Sequence, residues 1–157
     1  MSELLQPDSL AQVARFHKTF GHPILEYPTI PSAERAKLRI DLLQEELNEL
    51  KKAVEENDVV EVADALCDLQ YVLSGAVLEF GMGTRFNALF NEVQRSNMSK
   101  ACNNIKQAEE TIAHYSELGT ETYFREMNGK FIIYRTSDNK IMKAKNYSPA
   151  ELKTHLI

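Results

Sequence analysis

Five acidic residues carry the most chemistry in this sequence. Glu46 and Glu49 lie three apart, Glu61 and Asp64 lie three apart, and Asp68 follows four residues later. On a helix, spacings of three and four place side chains on one face, so two antiparallel helices could bring both pairs together. Clustered carboxylate oxygens with no His or Cys among them suit a hard divalent cation, Mg²⁺ with Mn²⁺ as a substitute, rather than zinc.

The elements that must position these acids follow from capping and periodicity. Ser32 offers an N-cap, and Ala33 to Glu56 runs without Gly or Pro and is rich in Leu, Glu, Lys and Ala, which predicts a long helix. On an ideal wheel of about 100° per residue, with Glu45 at zero, Leu38 and Leu42 fall near 20° and 60°, and Leu50, Leu43, Val54, Leu47 and Ile40 near 140° to 220°. Glu49 at about 40° and Glu46 at about 100° lie inside that apolar arc. Asn57-Asp58 marks a turn or cap, and Val59 to Phe80 forms the next helix, ended by Gly81 and Gly83. Its acids Glu61, Asp64, Asp68 and Glu79 form one stripe with Gly75 and Val72, while the rest of its surface is largely apolar. Carboxylates gathered this way cost several kcal/mol each unless paired, and they repel one another, so something cationic must sit between them.

A helix from Ser9 to Phe20, ended by Gly21 and Pro23, precedes these two, and Pro23, Pro28 and Pro31 make the connection extended. Thr84 can cap a fourth helix that continues towards about Tyr115. On it Asn97 and Lys100 share the face of Phe86, Phe90 and Val93. Lys100 there can meet a phosphate as a point charge or snorkel from a helix end, and Asn97 can hydrogen-bond a substrate. After Gly119 the texture changes: Tyr123-Phe124 and Phe131 to Tyr134 flank Asn128-Gly129, a strong hairpin signal. Ser148-Pro149-Ala150-Glu151 reads as a capping box that starts a short last helix. The expected fold is therefore mainly α, a four- to five-helix bundle with a small C-terminal β-hairpin. It forms a single domain over 1–157, with a helical core at about 9–115 and the hairpin and extension at about 120–157.

Composition narrows the function. Eighteen basic residues against 23 acidic give a net charge of −5, which argues against wholesale binding of nucleic acid polymer. No apolar run is long enough to span a membrane, and the first residues lack the basic and apolar regions of a secretory signal, so a cytoplasmic location is expected. Cys67 and Cys102 have no metal-ligand spacing and are expected to be free thiols.

Glu46-Leu-Asn-Glu49 followed by Glu61-Val-Ala-Asp64 resembles the ExxE and ExxD signature of the all-α nucleoside triphosphate pyrophosphohydrolases. That superfamily includes MazG-like proteins, dimeric dUTPases and phosphoribosyl-ATP pyrophosphohydrolases. Phe16-His17 with Phe20-Gly21 and Pro23, the stretch Ala63 to Val72, Arg95 to Lys100, and the tail Lys140 to Leu152 are similar to a MazG-like, phosphoribosyl-ATP-pyrophosphohydrolase-like bacterial subfamily. The resemblance implies that Glu46, Glu49, Glu61 and Asp64 bind Mg²⁺. It also implies hydrolysis of a nucleoside triphosphate to the monophosphate and pyrophosphate, in a homodimer or homotetramer. Glu49 or Asp68 is then the candidate to take the proton of the attacking water. His17, Phe20 and Tyr71 are candidates for contacts to the base, with plain packing the alternative for His17 and Phe20. Two other readings stay open: phosphoribosyl-ATP as the substrate, and a non-catalytic helical dimer that binds nucleotide or metal.

Overall fold

The computed structural model describes residues 7–156. It is mainly helical with one small antiparallel hairpin, as expected, and its chain divides into two compact units, one ending at Phe86 and the other starting at Asn87.

The first unit contains α1 (Ser9–Phe20), α2 (Ala33–Glu55) and α3 (Val59–Glu79). Their ends are set by local chemistry. Gly21 takes the left-handed conformation after α1 at φ 70°, and the Ser32 hydroxyl accepts from the Arg35 amide at 3.4 Å. Asp58 accepts from the amides of Val60 and Glu61 at 2.9 and 3.2 Å to start α3. The α2–α3 turn spans only residues 56–58, so the two helices run antiparallel and pack side by side. The proline-rich connection is pinned to the end of α3, with Leu25 N–H donating to Leu78 O at 3.0 Å and Thr29 N–H to Phe80 O at 3.1 Å. Gly81, at φ 68°, is required here, since a Cβ would lie 1.9 Å from the Tyr27 carbonyl oxygen.

Inside this unit sits a buried charge cluster. Glu79, fully buried, accepts from Nε and Nη2 of both Arg35 and Arg39, with the Nε contacts at 2.9 Å. Arg39 Nη2 also donates to His17 Nε2 at 3.4 Å, and His17 Nδ1–H donates to Pro23 O at 2.9 Å. Gly75 makes room for the cluster: a Cβ there would stand 2.7 Å from Arg39 Nη1 and 3.1 Å from His17 Nε2. Burial alone would push Glu79 up, but the guanidiniums of Arg35 and Arg39 overcome it and hold the carboxyl below the usual glutamate range. Burial keeps the His17 pKa below the ordinary histidine value, against the pull of its bond to Pro23, so the ring is neutral and can accept from Arg39.

The second unit contains α4 (Phe86–Met98), α5 (Ile105–Glu117), β1 (Thr122–Met127), β2 (Lys130–Arg135) and α6 (Lys153–Leu156). Asn128 and Gly129 both have positive φ, 51° and 72°, as the two-residue hairpin turn requires. Phe124, Phe131 and Ile112 pack on a core of Cys102, Ala108, Ile133 and Ala144. Both cysteines are free, Cys67 exposed and Cys102 buried.

Two expected helices differ. The fourth does not run to Tyr115. Cys102 leaves it to exchange backbone hydrogen bonds with Phe131, both at 2.9 Å, and Asn104 then caps α5 by accepting from the Gln107 amide. Thr84 is not its cap either, because α4 begins at Phe86 and the Thr84 hydroxyl accepts weakly from Arg85 at 3.5 Å. The last helix starts at Lys153 rather than Pro149. The groups that would cap it are engaged elsewhere: Ser148 N–H donates to Ser99 Oγ, Ser148 Oγ accepts from Arg95, and Glu151 N–H donates to Glu92. Arg95 first, and then the Glu151 amide, hold the Glu92 carboxyl at about 2.

Glu79→Gln should destabilise the first unit by about 3–5 kcal/mol at pH 7, because it leaves two guanidiniums without their anion in a buried site. The sign of the pH dependence follows from the lowered pKa. Glu79 contributes stability that is fully present above the unfolded carboxylate range and is lost as pH falls through its folded value. Urea unfolding between pH 3 and 8 should therefore show an acid-side loss in the parent chain that is reduced in the variant; parallel curves would remove this role.

Candidate functional site

The contact of Gly75 with Arg39 fixes the register of α2 against α3. Moving away from it towards the connecting turn come Leu42 with Val72, then Glu46 with Asp68 and Asp64, and then Glu49 with Glu61. Two features lie along this helix pair.

The first is a cavity of about 370 Å³ walled by Val13 and Phe16 of α1, Leu38 and Leu42 of α2, and Tyr71 and Val72 of α3. Phe16 organises it, meeting Tyr71 edge-on at 5.6 Å and lying nearly parallel to His22 at 5.8 Å. Such a slot suits a flat, weakly polar ring. His17 and Tyr71, both expected from sequence to contact a base, line it. His17 is fully buried, with both ring nitrogens engaged, and so shapes the wall. Phe20 meets Phe16 at 4.4 Å with the rings tilted by 40°, and is itself 64% exposed, outside the cavity lining.

The second is the acidic face one turn further along. Glu49 and Glu61, from opposite helices, line a shared groove with Lys52, Ala53 and Glu56. Glu46 is half-buried, and burial first, then the charges of Asp68, Glu49, Glu45 and Asp64, push its carboxyl above the usual range. All five acids singled out by the sequence are thus gathered on one face. Glu46 and Asp68 are half-buried, whereas Glu49, Glu61 and Asp64 are exposed. Among the described residues no basic side chain pairs with any of the five, and Lys52 at the rim reaches Glu56 at 4.0 Å.

The donor set is oxygen-only, and its like charges add to burial in raising Glu46; a hard divalent cation would relieve that repulsion. As the side chains stand, no group of three or more acids among the described residues converges closely enough to hold an ion. Closing the set would fall to Glu49, Glu61 and Asp64, whose exposure leaves their rotamers free.

Asn97 and Lys100 lie in the second unit, at the end of α4 and in the turn after it, where Lys100 Nζ donates to Asn97 Oδ1 at 2.8 Å. The residues that sequence reasoning passed over are Arg35 and Arg39. Arg39 lies at about 120° on the helical wheel, inside the apolar arc, and that position was its signal. The arc is also less covered than its apolar content suggested. Ile40, Leu47 and Val54, at its far side, are 62, 50 and 61% exposed, because α3 covers only the side that carries Arg39, Glu46 and Ala53.

An antiparallel helix pair thus carries an ExxE pair on α2 and an ExxD pair on α3, beside an aromatic slot. The family model for phosphoribosyl-ATP pyrophosphohydrolase matches residues 13–97, more than half of the chain, and the protein belongs to that family. The matched residues contain the cavity and all five acids. The chain is also 25% identical to an uncharacterized protein of Acanthamoeba polyphaga mimivirus, over 86% of this chain and 90% of that protein. Family membership supports hydrolase chemistry of the nucleotide pyrophosphohydrolase type. Among the described residues no helix is long and apolar enough to cross a membrane.

Without added metal, Glu46→Gln should raise the unfolding midpoint at pH 7. A raised carboxyl contributes stability that is present below the unfolded pKa and lost as pH rises through the folded one, so the gain should vanish near pH 4. A variant no more stable than the parent at pH 7 in EDTA would show that neither burial nor the neighbouring acids disfavour the Glu46 carboxylate.

Proposed function

We propose that this protein is a Mg²⁺-dependent nucleoside triphosphate pyrophosphohydrolase, with Mn²⁺ able to substitute, acting on a ribo- or deoxyribonucleotide. The observation that carries the proposal is the distance between the two features. Leu42 of the aromatic slot and Glu46 of the acidic face are one helical turn apart, about 6 Å along α2. A base held between Phe16 and Tyr71 would leave its sugar and phosphates running along the α2–α3 groove towards the acids.

In this reading Glu46, Glu49, Glu61 and Asp64 would hold the cation, which when bound supplies Lewis acidity towards the phosphate oxygens and water. Asp68, half-buried beside Glu46, and Glu49, exposed in the groove, are the two groups placed to accept the proton of the attacking water. Water adds to phosphorus, the phosphoric anhydride bond breaks, and pyrophosphate leaves with the monophosphate as the other product. Phe16 and Tyr71 orient the base, and the buried cluster of His17, Arg39 and Glu79 keeps their wall in place. The matched family's description favours a second reading, the same cleavage on phosphoribosyl-ATP.

The test is pyrophosphate release from a panel of canonical and modified nucleoside triphosphates plus phosphoribosyl-ATP, with Mg²⁺, with Mn²⁺ and with EDTA. Metal-dependent release from a few members is expected. Glu61→Gln and Asp64→Asn should each lower turnover at least a hundredfold without loss of folding, and Tyr71→Ala should act mainly on KM. Activity that survives both acid variants would misplace the site. Silence across the panel with metal binding intact would favour a nucleotide- or metal-binding module.

We also propose that the chain forms a homodimer or homotetramer through the uncovered stripe of Ile40, Leu47 and Val54, which recurs every seven residues on α2. Light scattering should give at least twice the 17.9 kDa chain mass, and Leu47→Glu should lower it; a monomeric parent chain would refute the assembly.

A further inference from the structure

The hairpin lies outside the residues that the family model matches, and its two faces differ in character. Successive side chains of a strand alternate between faces. Phe124, Phe131 and Ile133 turn to the core of the second unit. The register Tyr123↔Tyr134, Arg125↔Ile132 and Met127↔Lys130 places those six residues together on the opposite face.

That outer face is aromatic and cationic. The rings of Tyr123 and Tyr134 stack across the strands at 5.4 Å with 22° between their planes. The Arg125 guanidinium lies 5.4 Å from one ring centroid and 5.7 Å from the other, and among the described residues it has no carboxylate partner. Lys130 is exposed at the turn end, its Nζ donating to Asn103 Oδ1 at 2.6 Å, beside the 51%-exposed Met127. From Thr122 to Lys145 there are six basic residues and two acidic ones. Neither acid opposes the face: Glu126 belongs to the other side of β1, and Asp138 is paired with Arg135. The net charge of −5 conceals this, because the first unit has eight basic and fifteen acidic residues and the second ten and eight.

We infer that the outer face of the hairpin is a docking surface for single-stranded nucleic acid. The stacked, half-buried tyrosine pair offers a platform to unpaired bases, an arginine on those rings, without a carboxylate partner among the described residues, adds cation–π attraction, and the exposed Lys130 can follow the phosphates. A duplex keeps its bases stacked inside and has nothing to offer the rings. The surface reads no sequence, since every base has a π-face. It is independent of the acidic face and of the reaction proposed there.

The experiment is fluorescence anisotropy of the full-length protein with a labelled 15-nucleotide single strand, as DNA and as RNA, and with the matching duplex. Binding of the single strands at 50 mM salt is expected, weakening linearly in log affinity against log salt, with the duplex at least tenfold weaker. Tyr123→Leu with Tyr134→Leu keeps the face apolar and the charge unchanged, and should weaken single-strand binding about tenfold or more. Arg125→Ala should do the same, and Arg125→Lys should restore only part. Near-ultraviolet circular dichroism and unchanged pyrophosphate release would show that the variants stay folded. No single-strand binding up to 100 µM at 50 mM salt would overturn the inference. So would equal affinity for duplex and single strand with no effect of the tyrosine variant, which would mean diffuse charge attraction alone.

Discussion

The first unit depends on one constraint, the burial of the Glu79 carboxylate. Desolvating a carboxylate costs several kcal/mol, and a single cation in poor geometry would not offset it. Two arginines one turn apart on α2 do, each through Nε and Nη2, and they hold the carboxyl below its usual range. Because both guanidiniums come from α2 and the carboxylate from α3, the arrangement admits one register of the two helices. Gly75 enforces it by lacking the methyl group that would displace Arg39. His17 extends the same network to α1 and, through Pro23, to the proline-rich connection. The aromatic slot is thus bounded by side chains whose positions the ion cluster sets.

The acidic stripe of α3 carries its own internal comparison. At Glu79 the need for a cation is met from within the chain. At Glu61, Asp64 and Asp68, opposite Glu46 and Glu49, no basic residue among those described meets it, and Glu46 is raised instead of lowered. The two ends of the helix pair therefore differ: Glu79 of α3 is lowered by its two arginines, and Glu46 of α2 is raised, by burial first and then by its acidic neighbours. The paired end serves the fold. The unpaired end has kept its oxygens available, which is what a site for an exogenous cation requires.

Much of this was legible in the sequence because it is local. Gly21, Ser32, Asp58 and Asn128-Gly129 fix their turns and caps through their own backbone preferences, and the acid spacing fixes the shared faces. What was not legible was decided by partners distant in the chain. Cys102 leaves its helix because Phe131 offers a strand bridge, and Ser148 and Glu151 give up a capping box to side chains of α4. Arg39 escaped notice because, although it lies in the apolar arc, its anion stands forty residues on, in another helix. Ile40, Leu47 and Val54 read as core because an apolar stripe looks the same whether or not its own chain covers it.

The charge of the first unit also bears on how a triphosphate could enter the proposed site. Fifteen acidic residues against eight basic ones repel a polyanion at long range. Arg39, which lines the slot, and Arg35 are already committed to Glu79 and bring little free positive charge to the phosphates. An aromatic slot gives a base a few kcal/mol of stacking and apolar contact, but it does nothing for the phosphate charge one turn away. In the proposed reaction, nucleotide and cation would then bind as a linked pair, each raising the affinity of the other by the same factor. On that account the unpaired acids would do more than position a reactant: they would make the phosphate end of the groove hospitable only when the cation is present.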